Sequence, residues 1–278
     1  MASAAVSANL ARRLPARRDV FGDAMPRKSP GNALPHPFSW MATLLASLAV
    51  AQAHAANFTV SPVRVELSAQ RPVAALTIRN EMADESVVVQ LRTVAWTQQD
   101  GREVHADTTD LLATPPIFTL APGASQILRV GLRRPVEGSQ EIAYRLFVRE
   151  VPPEPKPGFT GLMTALEMSI PLFAKPRTPV APALEWRLKA GSDGNYSLVV
   201  RNDGNAHAQV ANLALSVPDA TEPLGTYPGF AYLLPGQARE IALRRGAQSP
   251  LPAQGSPLKL TAYTDAGDIA LSLSPESR

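Results

Sequence analysis

Apolar and polar side chains alternate in short runs through most of the chain after residue 57, a period typical of β-strands. The longest such run is 161–173, GLMTALEMSIPLF, in which Glu167 and Ser169 lie on one face. The other face is nearly all apolar and carries Leu162, Thr164, Leu166, Met168 and Ile170. The pattern therefore predicts one long strand over 161–173 with a single apolar face.

Six further strand-like segments precede this run and are separated by turn signals such as Asp100-Gly101 and Pro122-Gly123. They span 58–67, 73–80, 86–96, 115–120, 125–133 and 142–151. No amphipathic helix of useful length interrupts them. Seven short strands in about 115 residues predict an immunoglobulin-like β-sandwich.

A proline-rich connector, PRTPVAPAL at 176–184, separates this set from a second one. The second set comprises 184–190, 195–202, 207–217, 238–245, 258–264 and 268–274. We therefore expect an all-β protein of two immunoglobulin-like sandwiches at an angle, with a first domain over 56–176 and a smaller second domain over 177–278. The length after residue 55 suffices for two cores of this size.

The segment 41–55, MATLLASLAVAQAHA, is a short apolar run that ends in Ala-His-Ala and follows the basic pair Arg27-Lys28. It is too short to span a bilayer and matches a cleaved signal peptide, so we expect export to the periplasm with cleavage near Ala55 and removal of 1–55. Met25 is the better candidate for the start. No later run is long enough for direct membrane insertion.

The overall basic charge belongs mostly to that leader. Residues 1–55 hold six of the 27 basic and two of the 24 acidic side chains, so their removal leaves 21 basic and 22 acidic groups. A nearly neutral chain lacks the basic surface that nucleic-acid binding requires. Nucleic acid is therefore not an expected partner.

Catalytic and metal-binding signatures are missing from the sequence. The chain has no cysteine, and beyond residue 55 its only histidines are His105 and His207, far apart in sequence. No GxSxG, GxxxxGK[ST] or GxGxxG motif occurs. Acidic pairs such as Asp107/Asp110 are more typical of turns than of general acid–base catalysis. We expect no enzyme, no cofactor and no metal site.

Three segments together resemble the first domain of periplasmic pilus-assembly chaperones: TPPIFTLAPG (114–123), AYRLFVREVPP (143–153) and the 161–173 run. The resemblance covers about 58–176. The segment LLATPPIFTLAPG (111–123) and the proline at 171 are most similar to the archaic, spore-coat-like branch of the family. The resemblance implies a chaperone that binds pilus subunits by donor-strand complementation and passes them to an outer-membrane usher.

In this family the chaperone lends a strand to a subunit whose own sandwich lacks one, and apolar side chains of that strand fill the open groove. The resemblance places this donor strand at 161–173, with Leu162, Thr164, Leu166, Met168 and Ile170 as the inserted side chains. The alternative is that this face fills the core of its own sandwich.

The family also anchors the subunit's terminal carboxylate with two cations. Arg64 in SPVRVEL matches the arginine, with an ordinary exposed strand arginine as the alternative, whereas Pro171 stands in the place of the lysine. If Val151 pairs with about Leu162, antiparallel register places Arg145 opposite Met168, near the missing lysine. Arg145 is therefore the expected substitute, and Lys175 is the reserve.

A further match concerns the junction of the domains. Arg129 in QILRVGL resembles an arginine that ties the two domains together through an acid, for which Asp265 is the counterpart here. Such a pair would fix an orientation through its geometry.

The rival function is a secreted two-domain adhesion or carbohydrate-binding sandwich. That function requires exposed aromatic platforms, and the sequence has few aromatic residues and no cluster of tryptophans.

Overall fold

The computed structural model describes residues 58–276 apart from 156, 159, 192–193, 219 and 247–254. Over those residues every helix or strand that it contains is a β-strand. Across those residues no helix has the length and apolar character needed to cross a membrane. The predicted leader, 1–55, lies outside the described residues. The all-β fold class is confirmed.

The first ten strands build one sandwich. Their bounds are β1 Phe58–Ser61, β2 Val65–Ser68, β3 Val73–Asn80, β4 Val87–Gln99, β5 Arg102–Asp107, β6 Leu111–Thr114, β7 Ile117–Leu120, β8 Ser125–Leu132, β9 Ile142–Val151 and β10 Glu167–Lys175. One sheet has the order β1-β3-β8-β6. The other has the order β2-β10-β9-β4-β5, with β7 also paired to β4. Both sheets contribute to a single apolar core that includes Phe58, Leu76, Leu128, Leu146 and Leu172.

The remaining nine strands build a second sandwich with its own core. They are β11 Leu184–Ala190, β12 Tyr196–Asn202, β13 Ala208–Ser216, β14 Gly225–Leu233, β15 Ala238–Ala242, β16 Arg244–Arg245, β17 Leu258–Thr264, β18 Gly267–Leu273 and β19 Pro275–Glu276. Their sheets have the orders β15-β12-β11-β19 and β16-β14-β13-β17-β18. Two immunoglobulin-like sandwiches are thus present, as expected.

The first predicted strand, 58–67, is two strands. β1 pairs with β3 in one sheet, whereas β2 runs parallel to β10 in the other. Pro62 lies between them, and because proline has no N–H it cannot continue a ladder. The chain therefore changes sheets at this point, which places Arg64 at the crossing immediately before β2.

The predicted strand over 161–173 begins later than expected, at Glu167, and extends to Lys175. β9 ends at Val151 and is followed by Pro152, Pro153 and Pro155, which cannot donate to a neighbouring strand. Residues 161–165 consequently have no strand beside them to pair with, Leu166 contacts Glu150 of β9, and none of the six adopts regular structure. The expectation of a continuous strand from residue 161 was wrong for the free chain.

The register of the β9–β10 hairpin also differs from the expected one. Met168 pairs with Val148, and Arg145 pairs with Pro171, three residues further along β10 than predicted. The hairpin extends to the hydrogen bond from the Glu150 N–H to the Leu166 carbonyl at 2.8 Å, whereas the sequence placed Val151 opposite about Leu162. The connector is therefore longer than the sequence suggested. Arg145 therefore lies opposite Pro171, the position at which the resemblance implies a lysine.

Candidate functional site

A cleft of about 830 Å³ lies where the two sandwiches meet. The first sandwich contributes Val63, Arg64, Glu103, Arg145 and residues 168–171 of β10. The second contributes Gln209, Phe230, Tyr232, Tyr263 and Asp265. The fold thus brings Arg64 and Arg145, which are 81 positions apart in sequence, into one cleft.

Arg145 is held in a nearly buried position, with only 9% of its side chain exposed. Its guanidinium carbon lies 3.7 Å from the centroid of the Trp96 ring, and its Nη2 donates to the Glu103 Oε1 at 2.7 Å. Its Nε is buried without a hydrogen-bond partner. A buried cation with an unused donor is able to bind a further anion.

Arg64 is partly exposed and paired across the junction. Its Nη1 donates to the Asp265 Oδ1 at 2.6 Å, and this hydrogen bond raises the pKa of the Arg64 guanidinium above its ordinary value. The other Asp265 oxygen accepts the Gln209 backbone N–H at 2.7 Å. Arg64 is therefore a cleft cation, not an ordinary exposed strand arginine, and it retains further N–H donors.

Lys175 does not line the cleft. Its Nζ donates to the Glu66 Oε2 at 2.7 Å, between β10 and β2, and this hydrogen bond holds the pKa of Glu66 below its ordinary value. The geometry favours Arg145 over Lys175 as the second cation of the cleft.

The expected pair of Arg129 with Asp265 does not form, because Asp265 pairs with Arg64 instead. Arg129 is exposed on β8, where it lies opposite Ala75 and Thr114. β8 belongs to the four-stranded sheet, whereas the contacts with the second sandwich come from strands of the other sheet, from Arg64 and from the loop before β9 that carries Glu141. Strand alternation then directs Arg129 to solvent.

β10 has an open edge beside the cleft. β9 pairs with β10 from Glu167 to Ala174, but on the other side β2 pairs only with Leu172–Lys175. Among the described residues no strand pairs with the second edge over 167–171. Unpaired N–H and C=O groups of this kind are a template for a strand from another chain.

The five side chains expected on the donor face have different environments. Leu162 and Thr164 are exposed in the segment without regular structure, and Leu162 is 91% exposed. Leu166 and Met168 are half-buried against the edge of the first core. Ile170 is fully part of that core, so for this residue the alternative, that the face fills its own sandwich, is correct.

A small aromatic cluster joins the sandwiches and was not predicted from the sequence. It contains Trp96, Ala143, Phe173, Tyr232 and Leu234, with Trp96 edge-on to Tyr232 at 5.5 Å between ring centroids. Burial raises the pKa of the Tyr232 phenol. The only signal in the sequence was the placement of Trp96 and Phe173 on the polar-facing side of their strands.

Two polar contacts strengthen the same junction. The Gln98 side-chain amide donates to the Tyr232 carbonyl at 2.8 Å, and its oxygen accepts the Leu234 N–H at 2.9 Å. The buried Glu141 contacts His207 Nδ1 at 2.6 Å and accepts the His207 backbone N–H at 2.9 Å. These contacts, and not one made by Arg129, join the two sandwiches.

The described residues bear on two other kinds of functional site. Within the described ranges no group of three His, Asp or Glu side chains could hold a metal ion. Trp96 is buried and Trp186 is half-buried, so neither tryptophan is an exposed platform, and the exposed rings of Phe230 and Tyr263 line the cleft itself.

Residues 57–179 match the family model of the pili and flagellar-assembly chaperone, PapD N-terminal domain. The first sandwich therefore matches the pilus-assembly chaperone family over its whole length, which confirms the resemblance seen in the sequence. This is a family of chaperones and not of enzymes. A search of curated protein sequences finds no match.

Solved structures share the fold over both sandwiches. A chain of the CsuC–CsuE chaperone–tip adhesion subunit pre-assembly complex, from archaic chaperone-usher Csu pili of Acinetobacter baumannii, is 19% identical with a TM-score of 0.57. That match covers 80% of this chain and 100% of the other. A chain of the SafA pilin–SafB chaperone complex of Salmonella enterica is 19% identical, covers 78% and 96%, and has a TM-score of 0.55.

The YadV chaperone gives a similar result, with 18% identity, coverage of 78% and 100%, and a TM-score of 0.55. Identities this low establish a shared fold. Together with the family match they support a chaperone role for this chain.

Proposed function

We propose that this chain is a periplasmic chaperone that binds pilus subunits by donor-strand complementation and delivers them to an outer-membrane usher. The observation that carries the proposal is the open edge of β10 over 167–171, which adjoins a cleft containing two arginines. An incomplete subunit sandwich presents unpaired backbone groups and an apolar groove, and this edge complements both.

The segment 161–166 completes the donor surface in this proposal. It lies directly before β10, has no partner strand as far as residue 165, and carries the Leu162 side chain, which is 91% exposed. When a subunit strand pairs with β10, the same pairing can continue into 161–166. Leu162, Thr164, Leu166 and Met168 would then enter the groove of the subunit on alternate positions.

Arg64 and Arg145 form the carboxylate anchor in this proposal. Arginine binds a carboxylate through two parallel N–H donors; the buried Arg145 Nε has no hydrogen-bond partner, and Arg64 has N–H groups besides the Nη1 that binds Asp265. Because Arg145 faces Pro171 across the hairpin, a subunit strand added to β10 would end its course beside this cation. Pairing along β10 then also fixes where the subunit terminus lies.

The test is co-expression with a small exported β-protein encoded beside this gene, followed by separation of soluble and aggregated material. The proposal predicts that the subunit is soluble only with this chain and purifies with it as a complex. A subunit that is equally soluble alone, or soluble but unbound, would contradict the chaperone role.

A further inference from the structure

We propose that Glu103 is an internal substitute for the subunit's terminal carboxylate: it occupies Arg145 in the free chaperone and must leave when a subunit binds. This inference rests on the proposed function, because it concerns the regulation of the same anchor. It assigns to the β4–β5 hairpin, which has no donor residue, a role in capture and release.

The geometry of the guanidinium carries the proposal. Glu103 binds Arg145 through Nη2 alone, while the neighbouring Nε on the same edge of the guanidinium has no partner. A carboxylate that binds this edge with both oxygens uses Nε and Nη2 together. Since Nη2 carries two N–H groups, a subunit carboxylate at this edge would share Nη2 with the Glu103 oxygen and set two negative charges side by side.

Charge balance leads to the same conclusion. Four charged side chains line the cleft, namely Arg64, Arg145, Glu103 and Asp265, so the free cleft is neutral. An incoming carboxylate would leave one uncompensated negative charge in a partly desolvated site, which is costly. If Glu103 turns into solvent, the subunit carboxylate takes its place and the cleft remains neutral.

Glu103 is placed so that it can leave, whereas Asp265 is not. β5 is an edge strand whose residues are all exposed, and 41% of the Glu103 side chain is in contact with solvent. Asp265 is 25% exposed and also accepts the Gln209 backbone N–H. Asp265 is therefore a resident partner of Arg64, and Glu103 is the exchangeable one.

The experiment measures the affinity of a labelled synthetic peptide by fluorescence anisotropy. The peptide has about ten residues that alternate Val and Thr, and it is prepared with a free terminal carboxylate and as the amide. The proteins are the wild type, Glu103→Gln, Arg145→Ala and the double variant. Glu66→Gln is the matched control, because Glu66 pairs with Lys175 at the same 2.7 Å but outside the cleft. Thermal melting confirms that each variant folds.

We expect Glu103→Gln to bind the free-carboxylate peptide about three- to tenfold more tightly than the wild type, because a competing charge is removed. The gain should vanish for the amide and in the double variant, and Glu66→Gln should match the wild type. Unchanged or weaker binding by Glu103→Gln overturns the proposal. It is also overturned if neither the wild type nor Glu103→Gln binds the peptide. A gain in Glu66→Gln instead would make Lys175 the regulated cation.

The two single variants distinguish a failure of this inference from a failure of the proposed function. If Arg145→Ala abolishes carboxylate-dependent binding but Glu103→Gln has no effect, only the role of Glu103 is overturned. If Arg145→Ala binds the free-carboxylate peptide like the wild type, the anchor itself is wrong.

Discussion

Arg145 lies directly opposite Pro171 in the antiparallel pairing of β9 with β10. The strand that the family would use to supply a lysine has no charge at this position, and the neighbouring strand supplies a cation in the same row of the sheet. Proline also leaves the edge without an N–H donor at this point. In the proposed carboxylate anchor, a cation from β9 takes the place of the charge that β10 lacks.

The first prediction concerns this replacement. Arg145→Ala should reduce subunit affinity by about 2–5 kcal/mol, because it removes one partner of a largely desolvated charge pair. Arg145→Lys should restore part of the loss, since it keeps the charge without the two-donor edge. Titration of the purified subunit checks both, with Lys175→Ala as the control expected to bind normally. Normal binding by Arg145→Ala would make Lys175 the next candidate.

The second prediction concerns the segment before β10. Leu162→Glu should prevent subunit capture and leave thermal stability unchanged, because the side chain is exposed in the free chain and buried only in the complex. Met163→Glu is the matched control, since Met163 falls on the opposite face of an extended segment. Co-purification of the subunit checks the pair. Equal capture by both variants would exclude the Leu162 face as the donor.

The third prediction concerns the junction of the sandwiches. Asp265→Asn should lower stability by about 1 kcal/mol, because it weakens a partly exposed ion pair with Arg64. Arg129→Ala should change nothing, since Arg129 is exposed on the other sheet. Chemical denaturation measures the stability, and solution scattering measures the orientation of the sandwiches. A larger effect of Arg129→Ala would restore the pairing expected from the sequence.

The fourth prediction concerns pH. Lys175 holds the pKa of Glu66 below its ordinary value of 4.5, so ionised Glu66 stabilises the fold at neutral pH. This contribution is complete above the unfolded-state pKa and is lost as the pH falls through the lower folded-state pKa. Glu66→Gln should therefore melt below the wild type at pH 7, and the difference should shrink below about pH 4.5. A difference that is constant across this range would contradict the assignment.

Much of the fold was predictable because alternation in half-buried strands is a local signal. The bounds expected for 73–80, 142–151, 184–190 and 258–264 agree with β3, β9, β11 and β17. β5 was missed because all of its residues are exposed and no apolar face marks it. β14 was missed because Pro228 and Gly229 inside it resemble a turn.

The site was less predictable, because it depends on register and on packing between sandwiches. Arg64 and Arg145 were identified, but the register that nominated Arg145 was wrong by three residues, since the length of the connector is not a local property. The partner of Asp265 and the contact of Glu141 with His207 depend on how distant strands meet. No pattern within a single segment encodes such contacts.

The most direct test of the account is hydrogen–deuterium exchange of the chaperone alone and in complex with its subunit. Residues 161–165 have no partner strand, and one edge of 167–171 is open, so the free chain should exchange rapidly over 161–165. The account predicts strong new protection over 161–171 in the complex, while β5 gains none. Unchanged exchange over 161–171 in a confirmed complex, with protection elsewhere, would contradict donor-strand complementation by β10.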